Sequence, residues 1–189
     1  MTGAPEPGRF TALSRILHWL TAVLVFCALF VGFVMVNSVR EYSTLILIHW
    51  TLGITILVVV LVRVVNRLTH QPPPWPPTVG RLEGKIVVLS ELSLYAMLLA
   101  QPVIGWAMVS AAGEAVVVFG SLRLPRIAPF DAPLDWLLRQ AHSVVAYALM
   151  ATIAAHISAI LLHTLTLRDR MIERMTFRFR PKAHRSRLG

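Results

Sequence analysis

Four stretches of this chain are nearly unbroken runs of apolar residues, separated by short polar links. A membrane-spanning helix needs roughly 20 mostly apolar residues. The stretches that meet this length lie at about 16–36, 44–65, 86–109 and 140–166. The pattern predicts an all-α fold: an integral membrane four-helix bundle, with residues 1–189 as a single membrane domain that ends in a basic tail at 168–189. The first stretch is too long for the apolar core of a signal peptide, and "VMVNSV" at its end offers no small-x-small cleavage site, so it is expected to remain as a helix.

The links sharpen this layout. Residues 37–43 make a short turn, which sets the first two helices antiparallel. "THQPPPWPPTVG" (69–80) is a stiff proline-rich connector that cannot be helical. Residues 111–139 form the longest loop, broken by Pro125, Pro129 and Pro133. Within it, "PLDWLLRQ" either starts a short interfacial helix or extends the fourth helix.

Composition agrees with a bilayer protein. Hydrophobic residues make up 56% of the chain and charged residues 14%, outside the range of soluble domains. The formal net charge of +9 would suggest nucleic acid in a soluble protein. Here the charges sit between and beyond the apolar runs, so they speak to orientation in the membrane and not to nucleic acid. The first segment, the proline-rich link and the tail hold 14 of the 18 basic residues. The other two loops hold Arg40, Arg123, Arg126 and Arg139, balanced by Glu41, Glu114, Asp131 and Asp135. The positive-inside rule therefore places both termini in the cytoplasm. The single cysteine, Cys27, lies in an apolar run and reads as a small membrane-buried side chain.

The candidate chemistry lies in the histidines. With that orientation, His18 and His156 sit near the cytoplasmic face, and His49 and His142 near the outer face. His142 and His156 are fourteen residues apart. That step is roughly 21 Å along a helix and close to four whole turns, so both project from one face. An intramembrane histidine serves as a hydrogen-bonded packing residue, a proton relay, a zinc ligand or a haem ligand. Four at two matched depths favour haem, because bis-histidine ligation needs two rings from different helices with the macrocycle between them. The pairs expected are His18 with His156 and His49 with His142. Such iron has no open position, which suits electron transfer.

Other residues fit around this pattern. Gly32 lies fourteen residues after His18 and Gly53 four after His49, where a flat group can approach backbone; helix packing is the competing use. Arg15, Arg63 and Arg67 lie at the inner face, where guanidinium forks suit haem propionates, and where positive-inside topology alone also puts arginine. His163, seven residues beyond His156, suits a propionate contact, the edge of a quinone site, or the interface. His70 and His184 are expected to be solvated.

The chain resembles the bacterial cytochrome b561 family of four-helix, di-haem membrane cytochromes, over nearly its whole length. "SRILHWLTAVLV" resembles the family's first-helix histidine motif, and "LILIHWTLGITILVVVLVRVVNRL" its second helix. "LYAMLLAQPVIGW" is similar to the third-helix Leu-Tyr and Pro-x-x-Gly pattern, "VFGSLRLP" to the outer loop, and "AHSVVAYALMATIAAH" to the fourth-helix pair. The resemblance implies two haem b groups, with axial iron ligands at His18, His49, His142 and His156. It also implies a multi-pass protein of the bacterial inner membrane that carries electrons between a periplasmic donor, superoxide in some members, and the ubiquinone pool. It associates the position of His163 with the quinone side. One departure concerns the third helix, where relatives often carry histidine and this chain has Val88 and Glu91.

Three functions follow as expectations. The first is a di-haem electron carrier, in the enzymatic case a superoxide:ubiquinone oxidoreductase. The second is a haem-bearing subunit or anchor for a separate redox protein. The third is a haem-free transporter using a histidine relay. The orientation is directly testable: a fluorescent protein fused after Gly189 is expected to fluoresce, and alkaline phosphatase inserted after Ala128 to be active. The reverse pair of results would invert the layout.

Overall fold

The computed structural model describes residues 8–74, 80–167 and 171–176. The expectations for the centre of the proline-rich link, for most of the basic tail and for His184 fall outside these residues. Four helices carry the fold: α1 (Ala12–Asn37), α2 (Tyr42–Thr69), α3 (Arg81–Ala111) and α4 (Ala132–Leu162), the last running on into a π-helical turn at His163–Leu167. All four are long and apolar enough to cross a membrane. A short hairpin, β1 (Val117–Val118) and β2 (Leu122–Arg123), lies between α3 and α4.

Each helix outruns its apolar window, and polar residues at the starts of α1, α3 and α4 satisfy open backbone groups. Thr11 caps α1 by accepting from the Ser14 amide at 3.2 Å. Glu83 folds back to accept from the Gly80 amide at 2.9 Å and starts α3. The largest extension is in α4, where Asp131 accepts from the Leu134 amide at 2.8 Å and Pro133 sits in the first turn. "PLDWLLRQ" therefore belongs to α4, and the long loop shrinks to residues 112–131. At the tip of the β-hairpin, Phe119 (φ 51°) and Gly120 (φ 77°) are both left-handed, closed by a Ser121 N–H to Val118 O bond of 3.3 Å. That is the backbone a tight hairpin favours, at some steric cost for a phenylalanine.

The helices pack in chain order, α1 on α2, α2 on α3 and α3 on α4. Contacts such as Ser14 with Asn66, Arg67 with Glu91 and Gln101 with His142 show each neighbouring pair to be antiparallel. A central cluster of Val25, Ile56, Val60, Leu98 and Leu149 draws on all four helices. Most other apolar side chains face outward, Phe30, Phe33, Val36 and Leu89 among them. A surface of that kind is unstable in water and matched to lipid.

Polar contacts collect at the two ends of the bundle. The end carrying residues 8–10 and 171–176 is called here the terminal end. There Asn66 donates to the Ser14 hydroxyl at 2.8 Å, and Arg67 grips Glu91 through two hydrogen bonds of 2.9 and 3.3 Å. The segment after α4 folds back as a clamp. Arg15 donates to the Thr176 carbonyl at 3.1 Å and the Trp19 indole to the Met175 carbonyl at 3.0 Å. Arg174, nearly buried, donates to the Pro73 and Pro74 carbonyls and lies over the Phe10 ring. Burial holds its guanidinium below the ordinary arginine range. The opposite, hairpin end is tied by the Phe119 amide to Thr51 and the Trp106 indole to the Pro125 carbonyl.

The Arg67–Glu91 pair is two-thirds covered and set in an apolar bundle. Removing one charge leaves the other without its partner. Arg67→Met is expected to cost roughly 1–3 kcal/mol, between the values for exposed and buried pairs. Adding Glu91→Leu should recover part of that loss. Thermal unfolding in detergent of the two single variants and the double variant measures both effects.

Candidate functional site

The hairpin end encloses a cavity of about 470 Å³ bounded by all four helices, its walls mostly apolar. His49 reaches it from α2 and His142 from α4, with Gly32, Gly53 and Gly105 also on its walls. The two imidazole rings lie edge to face, centroids 6.2 Å apart and planes at 77°. Two metal–imidazole bonds of about 2 Å each, plus the distance from ring nitrogen to ring centre on both sides, account for a separation of that size. The Nδ1 atoms of both rings are buried without a hydrogen-bond partner. An uncompensated polar atom in such surroundings is costly, and these two lie on the glycine side of rings that line one cavity. Among the described residues no three metal-ligating side chains converge. The donor set here is two imidazoles, with apolar walls that suit the faces of a macrocycle. The residues present fit a haem.

The glycines differ from one another. Nothing stands within 4 Å of where a Cβ on Gly53 would lie, so it leaves the cavity wall open. Gly32 instead faces the His49 ring, whose Cε1 stands 3.3 Å from that position. Gly105, which sequence reasoning did not single out, faces the His142 ring in the same way, at 3.1 Å. Its only signal was its place in "LYAMLLAQPVIGW", which does not say which ring it meets. At the mouth of the cavity, Arg139 is paired with Asp135 at 3.0 Å.

The terminal end is assembled differently. His18, on α1, is half-buried, and its Nδ1 lies 3.1 Å from Nη2 of Arg63 on α2. Guanidinium only donates, so Nδ1 is the acceptor and the proton of the neutral ring sits on Nε2. Arg63 also lies over the Tyr95 ring, 5.1 Å from its centre. His156, on α4, is half-buried and within electrostatic range of both His18 and Arg63. The structure thus brings His49 and His142 into ring contact, while His18 meets Arg63 directly and His156 through space. Arg15 points to the tail clamp and Arg67 to Glu91. Glu91 is ion-paired, neither reaching for the interface nor facing a pocket of its own. His163 is half-buried at the start of the π-helical turn. His70 caps α2, its amide donating to the Asn66 carbonyl at 3.1 Å.

Comparison with known proteins agrees with the shape of the site. The family model described as prokaryotic cytochrome b561 matches residues 9–178. The chain is 29% identical over 171 residues to a probable superoxide oxidase CybB of Yersinia pestis, covering 88% of this chain and 95% of that protein. It is 27% identical over 128 residues to cytochrome b561 homolog 2 of Escherichia coli K12, covering 66% of this chain and 68% of the relative. It is 26% identical over 172 residues to cytochrome b561 homolog 1 of the same organism, covering 88% and 96%. With four bilayer-length helices and a cavity that fits its cofactor, the chain belongs to the prokaryotic cytochrome b561 family, multi-pass bacterial membrane proteins that bind haem b and transfer electrons.

Proposed function

We propose that this protein is a di-haem cytochrome b of the bacterial inner membrane that passes electrons from a donor at the periplasmic face to the ubiquinone pool. Both termini lie in the cytoplasm in this reading, which makes the hairpin end periplasmic. The observation that carries it is the His49–His142 ring pair across an apolar cavity. These two histidines would hold the outer haem, and His18 with His156 the inner one. Haem iron with two axial histidines supplies one-electron transfer without binding a substrate at the metal.

The protein's part is to hold, orient and insulate. The apolar walls keep water from the iron and set its potential. At the terminal end, Arg63 has two roles open to it. Iron ligation through Nε2 of His18 requires the proton on Nδ1, so Arg63 must leave that atom; a haem propionate is the natural partner for the released fork. Arg67 is already committed to Glu91, and Arg15 to the tail, which leaves Arg63 best placed for that contact. His163, beyond His156 on the same side, suits the quinone edge.

The name of the Yersinia relative suggests superoxide as donor. The balance is then two superoxide ions giving one electron each, released as dioxygen, with one ubiquinone taking both electrons and two protons to form ubiquinol. A cationic funnel would steer such an anion. The outer loops carry equal numbers of basic and acidic residues, and Arg139 at the cavity mouth is paired with Asp135. That neutrality favours a second reading, in which the donor is a separate redox protein docking at the hairpin end.

Two measurements test these statements. Purified protein is expected to hold two haems per chain by pyridine haemochrome assay, and His142→Ala one. An unchanged ratio would remove His142 from the ligand set. Superoxide-driven reduction of the haem, followed at two salt concentrations, should exceed background and fall at high salt if steering operates. No rate above background would leave the protein donor as the reading.

A further inference from the structure

The two helical hairpins contain the same local device, although their sequences do not repeat. In each, a histidine on the second helix lies edge-on against a glycine of the first. His49 presents Cε1 at 3.3 Å and Nδ1 at 3.7 Å to the Cβ position of Gly32. His142 presents the same atoms at 3.1 and 3.4 Å to that of Gly105. Nδ1, on the glycine side of each ring, is buried without a hydrogen-bond partner, and the backbone carbonyls one turn before the two glycines are those of Ala28 and Gln101. These carbonyls belong to the residues four before Gly32 and Gly105. In an α-helix the Cβ of residue i+4 tilts toward the N-terminus and covers the carbonyl of residue i. A glycine at i+4 uncovers it.

We propose that Gly32 and Gly105 are positioning residues that seat the imidazoles of His49 and His142, exposing the Ala28 and Gln101 carbonyls as acceptors for Nδ1–H and leaving Nε2 for the cavity. This rests on the reading of both histidines as axial ligands of the outer haem. A carbonyl facing Nδ1 fixes the tautomer, orients the ring and raises the basicity of the ligating nitrogen. Added carbon at Gly105 meets Cε1 at a distance few real contacts reach, so the ring must shift by a few tenths of an ångström relative to the carbonyl. At Gly53, on the same cavity wall, added carbon meets no protein atom, so this device is absent there.

The test uses purified, haem-loaded protein in detergent. Gly105→Ala is expected to retain the inner haem, to raise the midpoint potential of the outer one, and to alter its low-spin EPR signal. Loss of the outer haem to excess apomyoglobin should quicken by about 10–100-fold, the range for lost partners of a metal-bound histidine. Gly84→Ala, in the first turn of α3 with nothing near its added carbon, is the control for placing alanine in a helix and should match the parent. Gly32→Ala has the wider 3.3 Å clearance and serves if Gly105→Ala does not accumulate. If His142→Ala loses one haem but both glycine variants match the parent in potential, EPR and haem loss, the seats are wrong and the ligand reading survives. If His142→Ala keeps both haems, the ligand reading fails and the seats fail with it.

Discussion

In hydrocarbon, a polar group that finds no partner inside the protein finds none at all. Helices answer this for the backbone, and the bundle answers it for side chains by sorting them along its axis. The waist is apolar throughout, with Val25, Ile56, Val60, Leu98 and Leu149 meeting from four helices. Polar contacts between elements gather toward the ends: Asn66 with Ser14, Arg67 with Glu91, Arg174 with the Pro73 and Pro74 carbonyls. Among the buried side-chain atoms without a partner, which include Asn66 Oδ1 and Gln101 Oε1, two are imidazole nitrogens of rings that line one cavity.

The two ends are not equivalent. At the hairpin end the imidazoles lie edge to face in a mostly apolar cavity, where the lining Arg139 is paired with Asp135. At the terminal end His18 is bonded to a permanent cation, with a second arginine, a glutamate and a tyrosine close by. A redox centre surrounded by fixed positive charge is easier to reduce than one in neutral apolar surroundings. On the di-haem reading proposed above, that asymmetry would favour electrons moving from the hairpin end to the terminal end, without any moving part.

Much of this was legible in the chain. Helix number and approximate position follow from apolar runs, because lipid enforces them more strictly than a soluble core does. The grouping of His49 with His142 follows from depth alone, since antiparallel helices place both near one end. What the sequence could not show was anything decided between helices. The ring seat on Gly105 depends on how α3 meets α4, and the Arg63–His18 bond on how α1 meets α2. The early start of α4 is visible only in part: Asp131 followed by Pro133 is a helix-start signal, but sequence alone leaves open a separate interfacial helix there. Glu91 resisted reading because its partner, Arg67, is twenty-four positions away on another helix.

The clamp at the terminal end bears on how the molecule is made. Phe10, Arg15, Trp19, Pro73 and Pro74 are all synthesised before α3 and α4 exist, whereas Arg174, Met175 and Thr176 follow the last helix. Their contacts can therefore close only after all four helices have been inserted. Until then the region around His18 lacks its cover. On the di-haem reading proposed above, the order of synthesis would leave a window in which the inner cofactor could enter from that side before the clamp closes.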